Sequence, residues 1–542
     1  MRKNSRIAML ILVLSALCLA QAGNAPATDQ AAAPSPASIK APHPDRGVYA
    51  IWYQQGRDNL LDLPYIRGGQ VFAQWADIEP VEGEYRWEKI DAQLKKLHDK
   101  GRKCTVQINA NLKPEWMFTR IPYWPKALPQ VENRQGTPMY WHPEFIKAYR
   151  RFIAAQAAHL KASPYRGAIL GMRMNFSGIG NEPLNASATG ADLTKWVVPS
   201  GVSRDGLRPW TPDITTDYQK TVMAEYVRNF LPEIFVFVRT HTELAAREDF
   251  LPYFDRGQMG WFHTGAQPVE PADEWWQRVY RTFADYGRTG KTLGYAEPIS
   301  DAMGHRGRHT PAAERASYGA QTNYWRTLVD LQYGIDFIAY YANDLQIAAD
   351  GTSAYGDFKG LQGEYRAAME FAAKYAGYLG CPEVSPGAWV GLRQLELKAT
   401  AGKSSITSDC EFLIRRLPDH SVGAVKVGPA EQRFGGWARV LPKDEPMRFV
   451  LDRRFAASIA DQPATLKIVY FDDHPEAAVA VAASGELFDI AMKGTQRWQT
   501  ASFELPRCRF VPDAAGAAIT VQCAGRDITL HMVEVTRGVP AP

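Results

Sequence analysis

Eight short apolar runs between residues 46 and 380, each followed by a longer mixed stretch, constrain this chain more than any other feature. They are GVYAIWY (47–53), GGQVFAQW (68–75), KCTVQINA (103–110), AILGMRMNF (168–176), IFVFVRTH (234–241), MGWFHTG (259–265), TLGYAEP (292–298) and IDFIAYYA (335–342). Such runs, rich in Val, Ile, Phe and Tyr and bounded by Gly or Pro, read as strands buried on both faces. Between them, PEFIKAYRRFIAAQAAHLKA and ERASYGAQTNYWRTLVDLQYG repeat their apolar residues at helical spacing, and GEYRAAMEFAAKYAGYLG follows the last run. Strand–helix alternation of this kind predicts a (β/α)8 barrel over residues 46–380. The rival is a doubly wound open sheet. It usually announces itself by a Gly-rich phosphate turn after an early strand, and none occurs here.

Beyond residue 383 the texture changes. RFVLDRRF, ATLKIVYFDD and ITLHMVEVTR alternate in steps of two, which predicts a β-sandwich over 383–542. It either binds carbohydrate or only packs against the barrel. At the other end, Arg2, Lys3 and Arg6 precede the apolar run Ile7 to Leu19 and the small-residue site Ala20-Gln21-Ala22. Residues 1–22 therefore read as a signal peptide cleaved after Ala22, and the protein as secreted or periplasmic. Residues 23–45, rich in Ala, Pro and Ser, read as a flexible leader.

The chain carries 62 Lys and Arg against 58 Asp and Glu, a net charge of +4 that falls to +1 without the three leader cations. That balance, with no basic block, argues against nucleic acid as a partner, and no later apolar run is long enough for a membrane anchor. Cys104 sits in a strand-like run and reads as a small buried hydrophobe. Cys381 with Cys410, and Cys508 with Cys523, are candidate disulfides in an exported protein. No clustered Cys or His pattern suggests a metal, and no motif calls for an organic cofactor.

In a (β/α)8 barrel the chemistry sits at the C-terminal ends of the strands. Glu182, in FSGIGNEPLNAS, ends the fourth strand, and Glu297, in GYAEP, ends the seventh. Two carboxylates facing each other across the mouth, about 5–5.5 Å apart, are what retaining glycoside hydrolysis needs. The bland alternatives are a helix-start carboxylate for Glu182 and a buried partner of Arg306 or Arg308 for Glu297. Glu243 and Glu270 rival Glu297 as nucleophile, and Glu243, Glu270 or Asp344 would be the base in an inverting enzyme. Glu79, Glu82 and Glu84 precede a helix and read as solvated or capping charges. Trp75, Asn109, His263 and Tyr295 fall near strand ends, where rings suit sugar C–H faces and Asn or His suits hydroxyls. Trp116, Trp124 and Trp141, after the third strand, either line a cleft or cover the core.

Asn181-Glu182-Pro183 after strand four, with Glu297 after strand seven, resembles the clan A glycoside hydrolases. Residues 72–108, FAQWADIEPVEGEYRWEKIDAQLKKLHDKGRKCTVQI, resemble the second βα unit of their β-galactosidase-like members. The resemblance implies Glu182 as acid/base, Glu297 as nucleophile, and Asn181 as the contact to the sugar 2-hydroxyl. Two features depart from the clan. AYYANDL stands where many members have a strand-eight Trp, which leaves Tyr340 or Tyr341 as sugar platform, and QVFAQW lacks the Arg many members place on strand two. The expected protein is thus a retaining β-glycosidase or endo-β-glycanase acting on oligo- or polysaccharide without a cofactor. A non-catalytic carbohydrate-binding barrel and an inverting hydrolase are the alternatives; sugar, linkage and oligomeric state are open.

Overall fold

The structure, a computed structural model, describes residues 41–54, 56–127, 132–176, 192–239, 244–266, 285–298, 300, 315–393 and 409–538. Residues 1–40, which hold the expected signal segment and most of the expected leader, lie outside them. All eight apolar runs contain a strand: β1 (Gly47–Ile51), β2 (Ile66–Gln74), β3 (Lys103–Asn109), β4 (Ile169–Arg173), β5 (Val236–Arg239), β6 (Met259–Ala266), β7 (Gly294–Pro298) and β8 (Phe337–Tyr341). They pair in parallel in chain order, and β8 closes on β1 with Ile51 opposite Tyr341. The barrel interior holds Tyr49, Ile51, Phe237, Phe262, Tyr295, Phe337 and Ala339. Their neighbours one residue along, such as Val48, Ala50, Ile338 and Tyr340, face the helices, as the period of two requires. Where β2 meets β3, a Cβ on Gly68 would lie 1.8 Å from the Lys103 carbonyl oxygen, so only glycine permits that approach.

The helices form the outer layer. α1 (Glu88–Asp99) buries Ile90, Leu94 and Leu97 on one stripe. α2 (Pro143–Ala162) begins with Pro143 at its first position and with the His142 side chain accepting from the Glu144 N–H. α3 (Pro212–Phe230), α4 (Leu244–Asp255), α5 (Arg315–Gln332), α6 (Ala342–Asp350) and α7 (Gln362–Tyr375) follow. α6 stops at Gly351, whose φ of 79° suits a left-handed cap. Among the described residues no helix is long and apolar enough to cross a membrane.

The C-terminal part forms two antiparallel sheets, of seven and five strands, that enclose an apolar core including Leu466, Ile468, Val481, Phe449 and Val533. The central strand of the larger sheet, Ile528–Arg537, pairs with Gly387–Gly391, Trp437–Leu441 and Ala464–Asp472. This is the sandwich texture that the alternating segments predict. The cysteine pairs are not formed. Cys104, Cys381, Cys410, Cys508 and Cys523 are all buried, and none of them is in a disulfide. Cys508 donates its thiol to the Ile459 carbonyl at 2.9 Å, while the Cys523 thiol faces the Pro442 carbonyl at 3.4 Å. Each is thus satisfied where it packs, as a small apolar side chain with a weak donor.

Candidate active site

Glu297 ends β7 inside the barrel and is buried, so its carboxylate needs partners. Three donors from three strands reach Oε1: Arg173 Nη1 of β4 at 2.7 Å, Gln70 Nε2 of β2 at 2.9 Å and the Tyr295 hydroxyl of β7 at 2.9 Å. Gln107 of β3 ties these donors together. Its Oε1 accepts from Gln70 Nε2 at 2.6 Å and from Arg173 Nη1, while its Nε2 donates to Asn109 Oδ1 at 2.6 Å. The Arg173 guanidinium also lies 3.7 Å over the Phe262 ring, which fixes its plane. Burial, and then the charge of Glu297, push the Tyr295 phenol well above its ordinary range, so it serves as a donor. Among the described residues the cationic partner of Glu297 is Arg173; Arg306 and Arg308 lie outside them.

Opposite β7, the chain leaving β4 is fixed by a row of tyrosines. The Tyr149 hydroxyl donates to the Asn175 carbonyl at 2.7 Å, and the Tyr218 hydroxyl donates to that of Phe176 at 3.1 Å. The Asn175 side chain in turn donates to the Ile108 carbonyl at 2.7 Å. From this anchored point the chain runs on to Asn181 and Glu182, which lie outside the described residues, as do Glu243 and Glu270.

The other sequence candidates divide by strand face. Tyr295 and Asn109 join the interior network. Tyr341 also points inward, close enough to Glu297 and Arg173 to feel both charges. Tyr340 does not serve as a platform: it is enclosed, and its hydroxyl bonds to Thr327 of α5. Trp75 is likewise no sugar contact. One residue past the inward Gln74, it turns outward, stacks on Phe152 of α2 at 4.8 Å and donates its indole N–H to Glu79 at 2.7 Å. Both corrections follow from alternation, since each residue is one step out of phase with an inward neighbour. His263 lies within β6, with its side chain outside what is described. Asp344 is buried in the first turn of α6 and accepts from Ser300 Oγ at 2.7 Å. Trp141 is buried, its indole N–H on the Arg208 carbonyl, and Trp116 donates to the Glu79 carbonyl. Trp124 packs edge-on against Trp196. Among the described residues no group of three or more His, Cys, Asp or Glu side chains is placed to hold a metal.

The profile of the glycoside hydrolase family described as β-galactosidase matches residues 68–165, from β2 through α2. The resemblance to the β-galactosidase-like clan A barrels holds. Solved structures similar to this chain include the β-galactosidase of the psychrophilic Marinomonas ef1, at 12% identity and a TM-score of 0.35 over 60% of this chain. The match spans only 59% of that enzyme's own length. A glucosidase from Croceicoccus marinus is 10% identical with a TM-score of 0.32, covering 89% of this chain and 92% of its own. Xylanase B of Clostridium stercorarium F9 is 13% identical with a TM-score of 0.32, covering 55% of this chain and 86% of its own. No curated protein matches.

The β2 arginine of many clan A members is lacking here, and other groups reach Glu297. Gln70 occupies that strand, and the guanidinium comes from β4 as Arg173. Gln70, Gln107 and Arg173 were not singled out from the sequence. Their signal was nonetheless present, as polar residues in apolar strands at the inward phase set by Tyr295 and Glu297.

Proposed function

We propose that the protein is an exported retaining β-glycosidase, with Glu297 as nucleophile and Glu182 as acid/base. The observation that carries this reading is the Glu297 carboxylate at the C-terminal end of β7, with Oε1 engaged by Arg173, Gln70 and Tyr295. With Oε1 engaged, Oε2 is the oxygen assigned to attack the anomeric carbon. The bond from that carbon to the leaving oxygen breaks as Glu182 gives the oxygen its proton. Water then attacks the glycosyl-enzyme, Glu182 takes the water's proton, and the Glu297 carboxylate is released. Both acids recover their starting forms, so no cofactor is required. Asn181 would contact the 2-hydroxyl. The matched family's description makes β-galactosides the first substrates to try, and the basic, apolar, small-residue order of residues 1–22 supports export.

The test is a panel of aryl β-glycosides and polysaccharides, with the product anomer followed by NMR. Wild type should release product of retained configuration, and Glu297→Ala should lose turnover. Azide should rescue Glu297→Ala with inversion and Glu182→Ala with retention, because the first reaction has one displacement and the second has two. Inverted product from wild type, or full activity in either variant, would overturn the assignment.

A further inference from the structure

Trp52, the residue directly after β1, has a φ of 58°. Glycine and asparagine enter that region readily, whereas a bulky aromatic there is a true outlier and persists only where its surroundings hold it. The surroundings here are the barrel mouth. Ile51 registers with Tyr341 of β8, so Trp52 lies just above the closure of the barrel. Its ring meets Phe72 of β2 edge-on at 4.6 Å, and its indole N–H hydrogen-bonds the Tyr341 hydroxyl. Tyr341 also feels the charge of Glu297. Trp52, Phe72 and Tyr341 thus come from three adjacent strands, all half-buried, beside the strand that carries Glu297.

A core role alone does not account for this arrangement. Trp75 and Trp261, on the outward side of the same barrel, are wholly enclosed, whereas Trp52 is only half-buried and sits in a costly backbone conformation. Backbone strain of this kind clusters at functional sites, and the C-terminal mouth of a barrel is where such sites lie, so a strained, half-buried aromatic there points to binding rather than packing. We propose that Trp52 is the apolar platform on which a pyranose ring of the substrate stacks its C–H face, held in orientation by Phe72 and Tyr341. It takes the part that a strand-eight Trp plays in the clan, but from strand one, across the closing seam of the barrel. The proposal rests on the carbohydrate reading above.

The experiment uses the full chain carrying Glu297→Gln, so that binding is read without turnover. The probes are the 4-nitrophenyl β-D-galactoside, β-D-glucoside and β-D-xyloside, titrated calorimetrically. Trp52→Gly relieves the backbone and deletes the ring, and it should weaken the best-bound probe by about tenfold or more. Trp52→Phe restores a ring and should stay within about threefold of the parent. Thermal unfolding checks that each variant is folded, and Trp52→Gly should be no less stable than Trp52→Phe. Unchanged affinity in Trp52→Gly, or no binding of any probe to the parent, overturns the proposal. Hydrolysis by wild type is scored separately. Trp52-dependent binding without any cleavage would uphold the platform while defeating the hydrolase assignment.

Discussion

Arg173 and Glu297 form a buried ion pair at 2.7 Å, so loss of either leaves the other's charge buried without this partner. Under the proposed mechanism, Arg173 touches the attacking carboxylate through Oε1 but not the bond that breaks, which would make it a positioning residue for Oε2. Arg173→Met should lower kcat on aryl β-glycosides by roughly 100- to 1000-fold with KM little changed, as expected when a preorganised donor is lost. Arg173→Lys returns a charge without the planar fork and should recover part of that loss. A change confined to KM, or an equal loss in both variants, would sink the positioning role. The residue scale is also where the sequence was hardest to read. The place of Glu297 was legible because a carboxylate at the end of an apolar strand is conspicuous. Trp75 and Tyr340 were misread because nearness to a strand end does not say which face a side chain takes. A one-residue change of phase moves it from the mouth to the helix layer.

At the scale of elements, the β2–α1 connection is held by one buried acid. Glu79, wholly enclosed, accepts from the Trp75 indole at 2.7 Å, from the Gly83 N–H at 2.8 Å and from Arg151 of α2 at 2.7 Å. The sequence marks Glu79 as a structural rather than catalytic charge, which is how it acts, but a solvated one is not what forms. Its partner on α2 lies far along the chain, and no local pattern announces it. Removing the acceptor strands an indole N–H and a guanidinium, although Arg151 retains Glu82 at 3.0 Å. Glu79→Ala should therefore destabilise the protein by about 3 kcal/mol in urea unfolding. A loss below about 1 kcal/mol would show that Glu82 suffices to hold α2 against this loop. The strands themselves were legible for a simpler reason. Parallel strands covered on both sides must be apolar throughout, so eight of them stand out against amphipathic helices. The cysteine pairs were not legible, because spacing along the chain carries no information on Cβ geometry.

At the scale of the whole molecule, one apolar cluster runs from the helices around the barrel onto the larger of the two sheets, between the barrel interior and the core of the sandwich. Tyr324 and Trp325 of α5 meet Phe434, Trp437 and His531 of the β-sheet part, and Tyr375 of α7 meets Trp389 and Phe412. Ion pairs Arg433–Glu364 and Lys374–Glu534 flank this seam. An interface this apolar couples the two parts, so they should unfold together rather than as independent domains. His531 makes that coupling sensitive to acid. Its imidazole is wholly buried, with Nδ1 at 3.2 Å from the Trp437 carbonyl and Nε2 at 3.4 Å from the Tyr324 hydroxyl. Burial, with the nearby Arg433 cation adding to it, lowers its pKa to about 3 from an ordinary 6.5. Between those values the unfolded chain takes up a proton that the folded one refuses. The stabilisation is therefore full above pH 6.5 and is lost as pH falls toward 3. By pH 4.5 the wild type should have lost roughly 2 to 3 kcal/mol on this account. His531→Gln, which keeps hydrogen-bonding capacity but does not titrate, should lose less between pH 7 and 4.5 in urea unfolding. Equal losses in the two proteins would remove His531 as the acid-sensitive contact and leave the carboxylates as the source of the pH dependence.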